Sequence, residues 1–252
     1  MPVHFKYLGL AIVASALLTV ASKEQEPPLS IKAYTRTGQE ASLAGIVTLT
    51  GKPPKPLRID MSADPSCYES NPDPKTEWFV VRNKRLANVL VYATSETVLD
   101  KYWFAPPTSP ASLEHKGCRY EPHVLGIQKG QPLSIVHNDA TVTHNTHPTP
   151  KFNLEWNQTQ VAGAPPIVKT FEQTEVAIPF KDNQHPWEKA YVGVFSHPFF
   201  AVSDADGNFR IEGLPPGAYT IKAWHEKLGE RTVDVVFVSS ESRFVEFNFE
   251  VK

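Results

Sequence analysis

Short runs of apolar and β-branched residues, separated by proline, glycine, asparagine and aspartate, restrict the fold of this chain more than any other feature. They include "AGIVTLTG", "NVLVYAT", "LSIVHN", "TEVAIPF", "AYVGVF", "AYTIKAW", "VDVVFV" and "FVEFNFEV". A strand turns successive side chains to opposite faces, so such alternation suits a half-buried sheet, and the breaks lie at hairpin distances. The 23 prolines belong in turns and at sheet edges and disfavour long helices. The expected class is all-β, with "SPASLEHKG" the best short helix candidate. At 252 residues and 41% hydrophobic, the chain can bury the core of one or two domains.

Charge excludes one class of partner. The formal net charge is -2 and the lysines and arginines form no basic stripe, so no nucleic-acid partner is expected. The N-terminal stretch "MPVHFKYLGLAIVASALLTVASKEQEPP" has a basic start, a short apolar run and small residues before a polar segment. This reads as a leader over residues 1–22, with a retained single-helix anchor as the alternative. No later apolar run is long enough to span a membrane, so the mature chain is expected in the periplasm or secreted, and no protein partner can be named. Cys67 and Cys118 are the two cysteines, and in an oxidising compartment a disulfide between them is favoured. The alternative, a metal-ligating cysteine, stays open because His115 and His123 flank Cys118.

The tail "AVSDADGNFRIEGLPPGAYTIKAWHE" places Asp206-Gly207 as a tight hairpin turn and Pro215-Pro216-Gly217 as a second turn. Asp204, Asp206 and Asn208 lack the full ligand series of a calcium loop, so turn chemistry is the reading there. This run resembles the second half of a carboxypeptidase regulatory-like (transthyretin-like) domain. "AGIVTLTGKPPKP" and "LANVLVYAT" resemble that family's first two strands, although about a hundred residues separate the two halves. The resemblance implies a host sandwich of residues 44–94 and 198–252, interrupted by an insert of residues 100–196. Long insertions between strands cost little entropy.

Within the insert, "VLGIQKGQPLSIVHNDATVTHN" and "DNQHPWEKAYVGVF" resemble a cupredoxin, a strand pair delivering His144 followed by a ligand loop. The whole is similar to secreted bacterial proteins that join a plastocyanin-like region to a regulatory-like domain. The resemblance implies a cupredoxin-like β-sandwich inserted into or packed on the host sandwich. A blue-copper loop supplies Cys, His and Met at a C-x2-H-x2-M spacing, and here those places hold Asp182, His185 and Glu188. Both sulfurs are missing. The implied site is His144, Asp182, His185 and Glu188, an N/O donor set suited to copper or another divalent metal, with His147 and His225 as additional candidates. In the competing reading Asp182 and Glu188 are solvated loop residues, free to pair with Lys181 and Lys189.

The remaining signals are weaker. His137 and His197 flank strand ends, where bonding to backbone is the common fate. His225 is expected to face His185 or His123 across a module boundary. Trp156, Trp187 and Trp224 suit core packing better than a sugar platform. There is no G-x-S-x-G, no H-E-x-x-H and no phosphate-cradling loop, so no enzyme is expected. The leading expectation is an extracytoplasmic cupredoxin-like protein that binds a divalent metal. A metal-free protein- or glycan-binding scaffold is the alternative.

Overall fold

The computed structural model describes residues 31–251 together with Glu26 and Pro28; the leader expected at residues 1–22 lies outside the described residues. Among the described residues no helix is long and apolar enough to cross a membrane. The fold is all-β, and its main sheets form two sandwiches.

In the outer sandwich, one sheet runs Phe200–Val202, Leu90–Thr94, Gly217–His225, Gly229–Phe237. The facing sheet runs Asn208–Leu214, Ala41–Thr50, Arg85–Leu86, Val81–Arg82, with Ser242–Glu250 parallel to Ala41–Thr50. Alternation explains the packing. Ala41, Leu43, Val47 and Leu49 point inward from one strand and meet Val91, Ile221, Phe247 and Phe249 in a single core. Residues 41–94 and 200–250 thus share both sheets.

The intervening chain builds the second sandwich. One sheet runs Ile167–Lys169, Leu133–His137, Ala111–His115, Tyr120–Glu121. The other runs Gln158–Gln160, His144–Pro148, Glu175–Lys181, Lys189–Phe195, Val124–Gln128. Leu113, Ile127, Leu133, Ile135, Ile178, Phe180, Val192 and Val194 fill its core.

Two local expectations are corrected. "SPASLEHKG" contains a strand, Ala111–His115, paired in parallel with Leu133–His137. Between Pro110 and Gly117 there is too little chain to repay helix nucleation, whereas burial of Leu113 and His115 follows a period of two. The α-helix that does form, Pro65–Ser70, has Pro65 in its first turn and Asp64 as its N-cap. Asp206-Gly207 makes a turn but not a hairpin, because the flanking strands Phe200–Val202 and Asn208–Leu214 belong to different sheets. The Asp204 carboxylate accepts from the Asp206 and Asn208 amides and fixes the crossing.

The sandwiches meet through Leu90, Tyr92, Val124 and Phe195, with Phe200 and Trp224 against them. Two glycines permit this approach. A Cβ on Gly126 would lie 2.4 Å from the Phe200 ring, and one on Gly193 would lie 2.6 Å from Leu90 Cδ2. Gly126→Val should therefore push the sandwiches apart at the cost of overpacking, about 1–3 kcal/mol, with a matching drop in the urea midpoint. A midpoint equal to wild type would show that the two sheets do not pack as described.

Candidate metal centre

The second sandwich collects its imidazoles at one end. His115 and His137 end adjacent parallel strands and are paired in register, and His144 opens the strand His144–Pro148 of the opposite sheet. Asp182 follows Glu175–Lys181 and Glu188 precedes Lys189–Phe195, so the "DNQHPWE" loop closes a hairpin over the same end. Asp182 shapes that loop: its Oδ1 accepts from the Gln184 amide (2.7 Å) and the His185 amide (3.0 Å). The Glu188 amide donates to the His185 carbonyl at 2.8 Å.

The side chains converge. Asp182 Oδ2 contacts His144 Nδ1 at 3.0 Å and His185 Nδ1 at 3.1 Å, and accepts from the Asn145 amide at 3.0 Å. Glu188 Oε2 contacts His115 Nδ1 at 2.7 Å, and Glu188 Oε1 lies 3.3 Å from His144 Nδ1. The His115 and His144 rings stack at 4.4 Å. All of these residues are buried: Asp182 and Glu188 are 1% exposed, and His115 and His144 are 0% exposed. Solvated pairing of the carboxylates with Lys181 and Lys189 is thereby overturned, because their partners are imidazoles inside the protein.

Each of three imidazoles turns Nδ1 inward and has its Nε2 held from outside. His144 Nε2 meets Asp139 Oδ2 at 2.8 Å, His115 Nε2 meets Thr146 Oγ1 at 2.9 Å and His185 Nε2 meets Asp64 Oδ2 at 3.3 Å. Outer partners of this kind fix ring orientation and the atom left free to bind. Their charges set the protonation. Burial alone would lower His144, but hydrogen bonds to Asp139 and Asp182 outweigh it and raise the imidazole to about 9. His185 is likewise raised against burial, chiefly by Asp182. Burial would raise both Asp139 and Asp182, yet their imidazole and amide donors hold Asp139 down to about 2 and Asp182 far below its ordinary value.

His115, His144, Asp182 and Glu188 each place one donor atom within 4.8 Å of the others. Three belong to the set expected from the loop spacing, and His115 is new; His185 touches the group through Asp182. A four-coordinate ion with bonds of about 2 Å needs its donors about 3.3 Å apart, so only a modest contraction would close the shell. Glu188 Oε1 is buried without a hydrogen-bond partner, a feature an ion would relieve. The donors are nitrogen and oxygen, which suit Cu(II) or Zn(II) but not a blue-copper centre.

The other candidates fall elsewhere. His147 sits an odd three residues beyond His144 and faces outward, bonded to Glu155 (2.7 Å) and Asn183 (3.1 Å). His225 is buried in the outer sandwich beside Phe79 and Phe249, where burial lowers it to about 4. The boundary contact expected of His225 is made by its neighbour, since Glu226 bonds His123 Nε2 (2.7 Å) and the Tyr191 hydroxyl (3.1 Å). Cys67 and Cys118 form a disulfide, leaving no thiolate ligand. His137 Nε2 donates to the Val142 carbonyl, and His197 Nδ1 accepts from the Phe199 amide. Trp156, Trp187 and Trp224 pack into three separate apolar clusters.

No family model and no curated protein matches the chain. Among solved structures it is similar to a purple cupredoxin from Nitrosopumilus maritimus, at 20% identity over 33% of this chain and 98% of that one, with a TM-score of 0.29. A reduced amicyanin mutant is similar at 18% identity over 41% of this chain and 98% of that one, with a TM-score of 0.31. The Cu-containing nitrite reductase from Thermus scotoductus SA-01 is similar at 17% identity and a TM-score of 0.33, over 36% of this chain but only 23% of the reductase. These are distant similarities of fold confined to about a third of the chain, and the outer sandwich has no match to a family model.

Proposed function

We propose that this chain is an extracytoplasmic, non-catalytic protein that holds one divalent transition-metal ion, copper by preference, at the buried end of its second sandwich. The observation that carries the reading is the convergence of donor atoms from His115, His144, Asp182 and Glu188, with Glu188 Oε1 buried and left without a hydrogen-bond partner. His144 supplies a neutral nitrogen donor once its inner proton leaves, His115 supplies a second imidazole nitrogen, and Asp182 and Glu188 supply the negative charge that offsets a dication. When bound, Cu(II) in such a set gives a stable N/O complex without the copper–thiolate bond responsible for intense colour and rapid electron transfer. Storage, delivery or structural support fits this chemistry better than electron transfer. The Cys67–Cys118 disulfide supports an oxidising compartment.

Protein purified without an affinity tag and titrated with Cu(II) should bind one equivalent, with an electron paramagnetic resonance spectrum of nitrogen and oxygen ligation and no strong visible band. Absence of stoichiometric binding by Cu(II) and Zn(II) would favour the scaffold reading. A second experiment tests convergence. Asp182→Cys with Glu188→Met puts both sulfurs into the retained spacing, and the variant should turn blue or green with Cu(II), then lose that colour when His144 becomes Ala. A folded variant with its introduced thiol free and no copper–thiolate absorption would dissolve the site.

A further inference from the structure

We infer that residues 57–78 form a cap over the metal centre, and that the Cys67–Cys118 bridge, by fastening this cap, sets how fast the ion enters and leaves; the inference rests on the metal reading above. The cap belongs to the loop between the outer sandwich strands Ala41–Thr50 and Val81–Arg82. Its helix Pro65–Ser70 has six residues, too few to be stable alone, so it is held by bonds within the segment, such as Ile59 to Pro74, and by contacts across to the second sandwich.

Those contacts lead to the imidazoles from both ends of the bridge. On the cap side, Asp64 Oδ1 accepts from the Cys67 amide at 3.3 Å while its Oδ2 meets His185 Nε2 at 3.3 Å. On the other side, Asp139 Oδ2 accepts from the Cys118 amide at 3.0 Å and meets His144 Nε2 at 2.8 Å. Each half of the disulfide is thus hydrogen-bonded to the carboxylate that steadies the outer nitrogen of one imidazole. Asn71 Nδ2 donates to the Gly117 carbonyl and Trp187 Nε1 to the Cys118 carbonyl, both at the same seam. Met61, Cys67, Cys118 and Val142 close it as a fully buried apolar plug.

The inner donors lie buried beneath this plug, and even His185, bonded to the cap through Asp64, is only 4% exposed. Exchange therefore needs the cap to lift, and a covalent bond between the cap and the residue beside Asp139 opposes lifting. The same geometry predicts that loosening the cap accelerates entry and exit together. The equilibrium affinity then moves much less than either rate, whereas general damage to the site would weaken affinity through exit alone.

The test follows transfer of Zn(II) from the loaded full-length protein to a chromophoric chelator, and the reverse loading, by stopped flow. The oxidised wild type should exchange slowly, and Cys67→Ser with Cys118→Ser at least tenfold faster in both directions. If the serine pair fails to fold, Asp64→Ala and Met61→Ser, which keep the bridge and remove cap contacts, should show the same paired acceleration. Folded variants that load and release at wild-type rates overturn the cap while leaving the metal reading intact. Failure of the wild type to bind stoichiometric metal overturns both.

Discussion

Asp182→Ala should lower stability by about 3–5 kcal/mol and abolish metal binding, the largest effect expected of any single substitution at the site. Its carboxylate accepts from three backbone amides, those of Asn145, Gln184 and His185, and contacts two imidazoles. Alanine leaves those donors buried in a place no solvent reaches, since Asp182 is 1% exposed. It also removes the loop's own anchor, so His185 and Glu188 lose their positions together. Urea unfolding of the metal-free variant measures the first effect and isothermal titration with Zn(II) the second. A variant within 1 kcal/mol of wild type, on the order of an ordinary surface change, would return Asp182 to a solvated loop. Asp182→Asn keeps the shape but directs an amide group at one set of donors, and should fall between the two.

The parts of this molecule legible in the sequence are those governed by neighbours along the chain. Alternation along Ala41–Thr50 and Leu133–His137 announces strands because each buries every second residue. The spacing of Asp182, His185 and Glu188 is equally local, since all three lie on one loop. His115 and Asp139 were hidden for the opposite reason. His115 reaches the centre only because Ala111–His115 pairs in parallel with Leu133–His137, a register that no local pattern encodes. Asp139 enters through a loop whose path depends on the Gly117 and Cys118 amides that it accepts from. His147 shows what strand periodicity alone could decide: three residues from His144 is an odd step, and the ring faces the other way. His225 shows what it could not, because the chain turns at the strand's end and carries Glu226, not His225, to the boundary.

In the metal-free protein, stability should peak at about pH 6.5 and decline on either side, since His197 and His225, lowered by burial to about 4, lose their contribution as pH falls from 6.5, whereas metal affinity should climb across the basic decline. Asp139 and Asp182 are depressed in the folded state, so their contribution is present above the ordinary aspartate value of 3.8 and is lost as pH falls, through about 2 for Asp139. His144 has the opposite sign: raised from 6.5 to about 9, it contributes fully below 6.5 and loses that contribution as pH rises through 9. At about 1.4 kcal/mol per pH unit the basic arm amounts to about 3 kcal/mol. The groups facing His144 explain why the proton is held. Asp139, Asp182 and Glu188 favour the cation against burial, and the rings of His115, His137 and His185 pack against it. A metal ion competes for the same Nδ1, so binding expels that proton and strengthens as the proton becomes easier to remove. Urea melts at about pH 6 and about pH 9, with and without one equivalent of Zn(II), separate the two terms. The metal-free midpoint should fall toward the higher pH while the increment given by the ion grows. A metal-free midpoint that does not change between the two would mean that His144 is not clamped between carboxylates. An ion increment that stays constant would mean that the ion and the proton do not share a nitrogen.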